Sequence, residues 1–378
     1  MKRIFLLLSL LLVMTDRAFS DYLEDGNAMY AKGDLDGAIA DYTKAIELNP
    51  NNVDAYNNRG ATKTTKGDLD GAIADYGKCI QLKPGDAKAY YNRGLAKQTK
   101  GDLDGALTDY NKAIELDQNY ATAYNNRGNV KRAKHDLSGA LADFTKAIEL
   151  KPDDADAYFN RGLTKKVKDD FDGAIADYTK AIELKPDYSD AYNNRANAKS
   201  HKGNLDGAIA DYTKVIELKP GDALAYSNRG NTEQNKGDLD GAMADFTKAI
   251  KLKPNFAYAY NNHGWCEFLK KDFDSAISDA THAIQLDSKN GYFYSTRGWA
   301  LYGKKDVAGA LEDCKRAVEL EGVNSLDAAG DQGMINFING DYKKAIESWQ
   351  RAIQHDASVQ RELQPWIEKA KAKQSTAN

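Results

Sequence analysis

Residues 54 to 66 and 70 to 83 each carry apolar or small side chains at i, i+3 and i+4. That spacing marks one face of an α-helix and predicts two amphipathic helices joined by a short turn. Gly67 is suited to a left-handed cap after the first helix, Asp68 or Asp70 to an N-cap of the second, and Pro84 to its stop. Gly60, Gly71 and Ala72 remove bulk where the two helices must approach. The pair recurs. DGAIADY stands at 36, 70, 172 and 206, with DGALTDY at 104, SGALADF at 138 and DGAMADF at 240, a period of 34 residues. The frame continues, weakened, through DSAISDA at 274 and AGALEDC at 308, and YKKAIESW at 342 arrives one residue late, which places a single insertion between Glu321 and Gly333. Six of the seven prolines fall at one frame position.

With Val53 as position 1, position 4 is Tyr in repeats two to nine, position 8 is Gly except at Ala196, and position 20 is Ala throughout. In residues such as Tyr56, Gly60, Ala72, Tyr76 and Pro84 the chain resembles the tetratricopeptide repeat (TPR) family. The resemblance covers residues 19 to 359 and implies an all-α fold. That fold is a right-handed superhelical solenoid of about ten helix-turn-helix repeats starting near 19, 53, 87, 121, 155, 189, 223, 257, 291 and 326. The chain departs from the family pattern at position 11, where Lys63, Lys97, Lys131, Lys165 and Lys199 replace the usual aromatic, a change expected to weaken packing locally. One helix pair buries too little apolar surface to stand alone, so neighbours must stack and the ends need polar covers. Residues 360 to 378 supply one: Leu363, Trp366, Ile367 and Ala370 share a face of a capping helix that tolerates Pro365 near its start.

The N-terminus has a different pattern. Lys2 and Arg3 precede an apolar run from Ile4 to Met14, and Ala18-Phe19-Ser20 supplies small residues at −3 and −1 of a cut before Asp21. This is the anatomy of a secretory signal peptide over residues 1–20, leaving a repeat array over 21–359. The run is shorter than a spanning helix, so no stable membrane insertion is expected after cleavage. Export would put the chain in the bacterial periplasm or outside the cell, and the absence of an Asn-x-Ser/Thr sequon favours the bacterial route.

Composition narrows the chemistry further. The net charge of −4 is spread evenly, which excludes a nucleic-acid footprint, and Cys79, Cys266 and Cys314 lie too far apart for a zinc motif and read as small buried hydrophobes. The five histidines fall in different repeats, and no P-loop, G-x-S-x-G or H-E-x-x-H appears. No catalytic residue, cofactor or metal site is expected.

Two polar columns remain. Arg at position 7 and Asp at position 23 recur together, which suggests a structural ion-pair ladder, within repeats or between them. Position 6 holds Asn58, Asn92, Asn126, Asn160, Asn194, Asn228 and Asn262. At ~100° per residue this position faces away from the second helix. In TPR arrays the first helices line a concave groove. The resemblance therefore implies that the column looks into it, similar to the asparagine ladder of O-linked N-acetylglucosamine transferase, where amides hold an extended peptide. The alternative is that each asparagine bonds a neighbouring repeat. Positions 2, 9 and 12 are mixed in repeats two to seven but aromatic in repeats eight and nine: Tyr258, Trp265, Phe268, Tyr292, Trp299 and Tyr302. These rings are either partner anchors or core beneath the capping region. Groove cations are few, Lys88, Arg132 and Lys166 being the main ones, so a carboxylate clamp for an acidic C-terminus fits poorly. The expected function is a non-catalytic scaffold of the cell envelope that binds an extended protein or peptide segment. A self-assembling homo-oligomeric array and an accessory subunit of an envelope enzyme are the alternatives.

Overall fold

The computed structural model describes residues 19–322 and 328–377. The expected leader lies outside the described residues except for Phe19 and Ser20, as do parts of the inserted turn and of the start of repeat ten near 326. Among the described residues every regular element is helical. Repeat two shows the pattern, with a first helix over Val53–Lys66 and a second over Leu69–Leu82. The chain divides into two compact units, one up to Pro186 and one from Asp187 on, and the division falls between the last helix of repeat five, Phe171–Leu184, and the first of repeat six, Ser189–His201. Each unit therefore holds whole helix pairs.

The caps follow from local chemistry. Asp68, not Asp70, caps the second helix of repeat two by accepting from the Gly71 N–H at 2.9 Å, and Asp34, Asp102, Asp136, Asp170 and Asp238 do the same in their repeats. Asp70 is left to pair across repeats with Lys100 at 2.5 Å. Gly71 serves the cap, since a Cβ there would meet the Asp68 carboxylate at 2.2 Å. Gly60 serves the helix approach, since its Cβ would meet the Tyr76 ring at 3.1 Å. At the turn, Gly67 has φ +89°, and the equivalent residues His135, Asp169, Lys271 and Lys305 also take positive φ between 59° and 70°.

The core is a series of small clusters of Ala with one large ring per repeat: Tyr76, Tyr110, Phe144, Tyr178, Tyr212 and Phe246, all buried. At the N-terminal end Phe19, Tyr22 and Leu23, on a helix over 19–31, pack against Ala45, Ile46, Ala55 and Tyr56. The largest cluster closes the other end, where Leu363, Ile367 and Ala370 of the C-terminal helix Gln360–Ala377 are buried with Trp349, Met334 and Phe337. Cys79, Cys266 and Cys314 are buried and free, and burial pushes the Cys79 and Cys266 thiols up to about 12.

The ion-pair ladder forms within repeats. Arg127 donates from Nε and Nη2 to both oxygens of Asp143, at 2.8 and 2.6 Å, and Lys131 adds a third cationic contact at 2.8 Å. The same geometry holds at Arg59–Asp75, Arg93–Asp109, Arg161–Asp177 and Arg195–Asp211, each with the position-11 lysine on the second carboxylate oxygen. The lysines at position 11 are therefore the second counter-charge of a buried carboxylate, which corrects their reading as a packing defect. Asp143→Ala leaves two partly buried cations, Arg127 and Lys131, without their counter-charge and is expected to destabilise by about 3–5 kcal/mol. Asp104→Ala, which breaks only the exposed pair with Lys134, should remain within about 1 kcal/mol in the same urea titration.

Candidate functional site

The face of the first helices that turns away from the second helices is where position 6 lies. Asn58 donates from Nδ2 to Asn27 Oδ1 at 3.1 Å, Asn92 to Asn57 Oδ1 at 3.1 Å, Asn126 to Tyr91 Oη at 2.9 Å, and Asn160 to Asn125 Oδ1 at 3.2 Å. Each acceptor belongs to the preceding repeat. In the second unit Asn262 donates to Asn231 Oδ1 at 2.8 Å, while Asn194 bonds its own helix at the Asp190 carbonyl. Asn228 is half-buried on the same face and makes no side-chain hydrogen bond among the described residues. Asn58, Asn92, Asn126, Asn160 and Asn262 thus each tie a repeat to the one before it, with one hydrogen of the amide.

What remains is chemically definite. An amide has two donor hydrogens and one carbonyl acceptor with two lone pairs. In Asn58, Asn92, Asn126 and Asn160 the carbonyl takes no hydrogen bond among the described residues, and each side chain is half-buried rather than enclosed. The first unit consequently presents a row of half-buried amides, each with its carbonyl and one N–H left to bond.

The aromatic set divides. Trp299 is 4% exposed and sits in the C-terminal core, its indole N–H donating to the buried Asp331 at 2.9 Å. The C-terminal helix brings Trp366 edge-on to Trp299 at 5.4 Å and to Tyr302 at 5.5 Å. Trp265 donates to Glu362 of that helix at 3.2 Å and stacks at a tilt on Phe268. These four rings are packed by the chain's own last helix, which withdraws Trp299 from the anchor set and leaves Trp265, Phe268 and Tyr302 half-covered. Tyr258 and Tyr292 are about half exposed. A cavity of about 710 Å3 remains beside the helix, lined by Leu239, Phe268, Tyr302, Val307, Trp366 and Lys369 among others.

Three carboxyls near this end are pushed up. Desolvation raises Asp331 to about 6 against the hydrogen bonds from Trp299 and Ser295, and raises Glu233 and Glu267, both at position 11, to about 7. Glu233 lies 3.9 Å from Arg229, too far to offset burial, and its Oε2 has no hydrogen bond. None of these three groups was singled out from sequence. Position 11 changes from Lys to Glu in repeats seven and eight, and that change is the signal which marks two of them.

TPR repeat profiles match residues 26–63, 62–101, 99–134 and 128–166, and tetratricopeptide repeat profiles match 155–188, 189–222, 223–256 and 257–290. These matches cover more than half the chain, and it belongs to the TPR family. Mouse (Mus musculus) DnaJ homolog subfamily C member 7 is 50% identical over 46 residues, 12% of this chain and 9% of that protein, so the match spans less than a tenth of that relative. Among solved structures, a tetratricopeptide repeat protein from Parabacteroides merdae ATCC 43184 aligns at TM-score 0.50 and 22% identity, covering 65% of this chain and 98% of that one. YrrB, described as a TPR protein with an unusual peptide-binding site, aligns at TM-score 0.45 and 29% identity over 49% of this chain and 95% of that one. Arrays of this family are protein-interaction scaffolds and generally non-catalytic, and the stacked helix pairs here are of that kind. Among the described residues no helix is long and apolar enough to cross a membrane.

Two consequences can be measured. Trp299→Ala should lower stability by about 3–5 kcal/mol, as expected of a core ring, whereas Tyr292→Ala should change it by about 1 kcal/mol or less; helical CD against urea separates the two. Glu233 gives a pH effect of known sign. Its unfolded carboxyl ionises near 4.5, so between there and about 7 the folded chain keeps a proton that the unfolded chain has lost, and stability falls as pH rises. Glu233→Gln removes this loss, so its urea midpoint should gain on the wild type between pH 5 and pH 8. A difference that stays constant with pH would assign the effect to another group.

Proposed function

We propose that this chain is a non-catalytic scaffold of the cell envelope that binds an extended segment of a partner protein along the first-helix face of its repeats. The observation that supports this is the orientation of the Asn column. One amide hydrogen of Asn58, Asn92, Asn126 and Asn160 is engaged by the preceding repeat, so each keeps its carbonyl and a second N–H for the backbone N–H and C=O groups of a bound segment. Backbone recognition of this kind gives affinity without reading side chains. Tyr258 and Tyr292 are the exposed aromatic surface left for a partner side chain in the second unit, where the C-terminal helix covers the other rings. Export rests on the leader-like pattern of residues 1–20.

The test is affinity capture from the native envelope fraction with the wild-type chain beside an Asn92→Ala/Asn126→Ala/Asn160→Ala variant of unchanged helical CD. A partner held by the first and lost by the second is the expected result. Equal retention would reduce the column to an inter-repeat tie. Sequencing the envelope protein from its N-terminus should begin at Asp21, and an intact Met1 would remove the export reading.

A further inference from the structure

Repeat eight breaks the ion ladder in a directed way. In repeats two to seven and in repeat nine a buried position-23 aspartate receives an arginine from position 7, and in repeats two to six a lysine from position 11 as well. In repeat eight both cations are replaced: position 7 is His263 and position 11 is Glu267, while position 23 remains Asp279. His263 Nδ1 lies 2.7 Å from Asp279 Oδ2 and 3.4 Å from Glu267 Oε1, and one ligating atom from each of the three residues lies within 4.8 Å of the others.

The replacement leaves a charge deficit. Two fixed cations facing one carboxylate become one imidazole facing two carboxylates. Glu267 is buried, at 8% exposure, and its Oε2 has no hydrogen-bond partner. Such a group is costly to leave unpaired. In repeat seven the glutamate has a different neighbour: there Glu233 meets Arg229, which cannot ligate a metal. Only repeat eight combines the glutamate with an imidazole.

We infer that His263, Glu267 and Asp279 form a binding site for a divalent first-row transition-metal ion of the Zn2+ type, which supplies the positive charge that Arg and Lys supply in the other repeats. The donor set of one imidazole nitrogen and two carboxylate oxygens suits such an ion rather than Ca2+ or Mg2+, which prefer oxygen alone. Tetrahedral ligands about 2.1 Å from zinc stand about 3.4 Å apart, so the 3.4 Å contact already fits and the 2.7 Å contact needs a small opening. The two residues from the first helix are four positions apart on one face, and the third comes from the second helix. The ion would pin the two helices of repeat eight as the Arg–Asp pair does elsewhere. The other imidazole nitrogen, Nε2, lies 3.3 Å from Thr247 Oγ1 of the preceding repeat, a contact that fixes the ring with Nδ1 toward the carboxylates. Asp279 is the most open of the three, its side chain 23% exposed, so water can complete the coordination.

The experiment is calorimetric titration of the metal-stripped full chain with Zn2+ at pH 7.5. The comparison is His263→Arg/Glu267→Lys, which recreates the pattern of repeats two to six and should fold. The wild type is expected to bind one equivalent, with its urea midpoint rising in Zn2+, and the double variant is expected to lose both effects, binding at least tenfold more weakly. Equal binding by the two chains would place the zinc on other histidines and overturn the site, as would no binding by the wild type. Should the double variant fail to fold, the near-isosteric Glu267→Gln decides instead: a tenfold loss supports the site and unchanged affinity sinks it.

Discussion

The array depends on one constraint, a carboxylate buried between two helices that must not be left without a counter-charge. Asp109 is 1% exposed, and its counterparts in the neighbouring repeats are buried as well. The arginine that neutralises each one uses Nε and Nη2 within its repeat and, at Arg59, Arg161 and Arg229, sends Nη1 back to a threonine of the preceding repeat at 2.9 to 3.2 Å. A single guanidinium therefore sets both the pairing of two helices and the register between repeats. The gain in net stability from such a pair is small, because desolvation offsets the attraction. Its value lies in exclusion, since a stack that slips along the chain leaves a charge buried and unpaired. A core made mostly of Ala, with one ring per repeat, has little shape of its own with which to enforce that register.

The departures from this arrangement gather at one end. In repeat seven Glu233 takes the place of the lysine, and burial pushes its carboxyl up to about 7. In repeat eight the arginine also goes. Burial lowers the affinity of His263 for a proton, but its bond to Asp279 and the charge of Glu267 outweigh that and raise it overall. Repeat nine restores Arg297 on Asp313, with Leu301 at position 11. The C-terminal helix lies against these same repeats. Degeneracy of the repeat and specialisation of its surroundings thus occur together, which is what a packed terminus requires of units that no longer have identical neighbours on both sides.

The 34-residue frame, the helix pairs, the caps and the Arg–Asp column could be read from sequence because each is local: none needs a contact beyond one repeat. The partner of Lys131 could not, because the reading treated position 11 as a hydrophobic slot, whereas the carboxylate it meets lies twelve residues on, across the turn. The aromatic positions were ambiguous for a different reason. Trp265 and Trp299 occupy places that in earlier repeats face the open side, and what covers them is a helix whose Glu362 lies 97 residues beyond Trp265. Periodicity carries no information about such a contact. The Asn column was half legible, since its face follows from the helix period but the amide partners follow only from what the preceding repeat offers, at position 5 for Asn92, Asn126 and Asn160 and at position 9 for Asn58 and Asn262.

Those partners bear on what the array can recognise. Had the asparagines been free to rotate, each could present donor or acceptor and the column would suit almost any polar ligand. Anchoring Nδ2 on the preceding repeat limits that rotation and leaves the carbonyl and one N–H of each amide to bond. Such an amide complements a peptide group, which brings one N–H and one C=O, and it carries no charge with which to hold a carboxylate or phosphate. The scarcity of groove cations has the same effect. On the function proposed above, an extended backbone is the ligand that suits these amides, and an acidic tail suits them least.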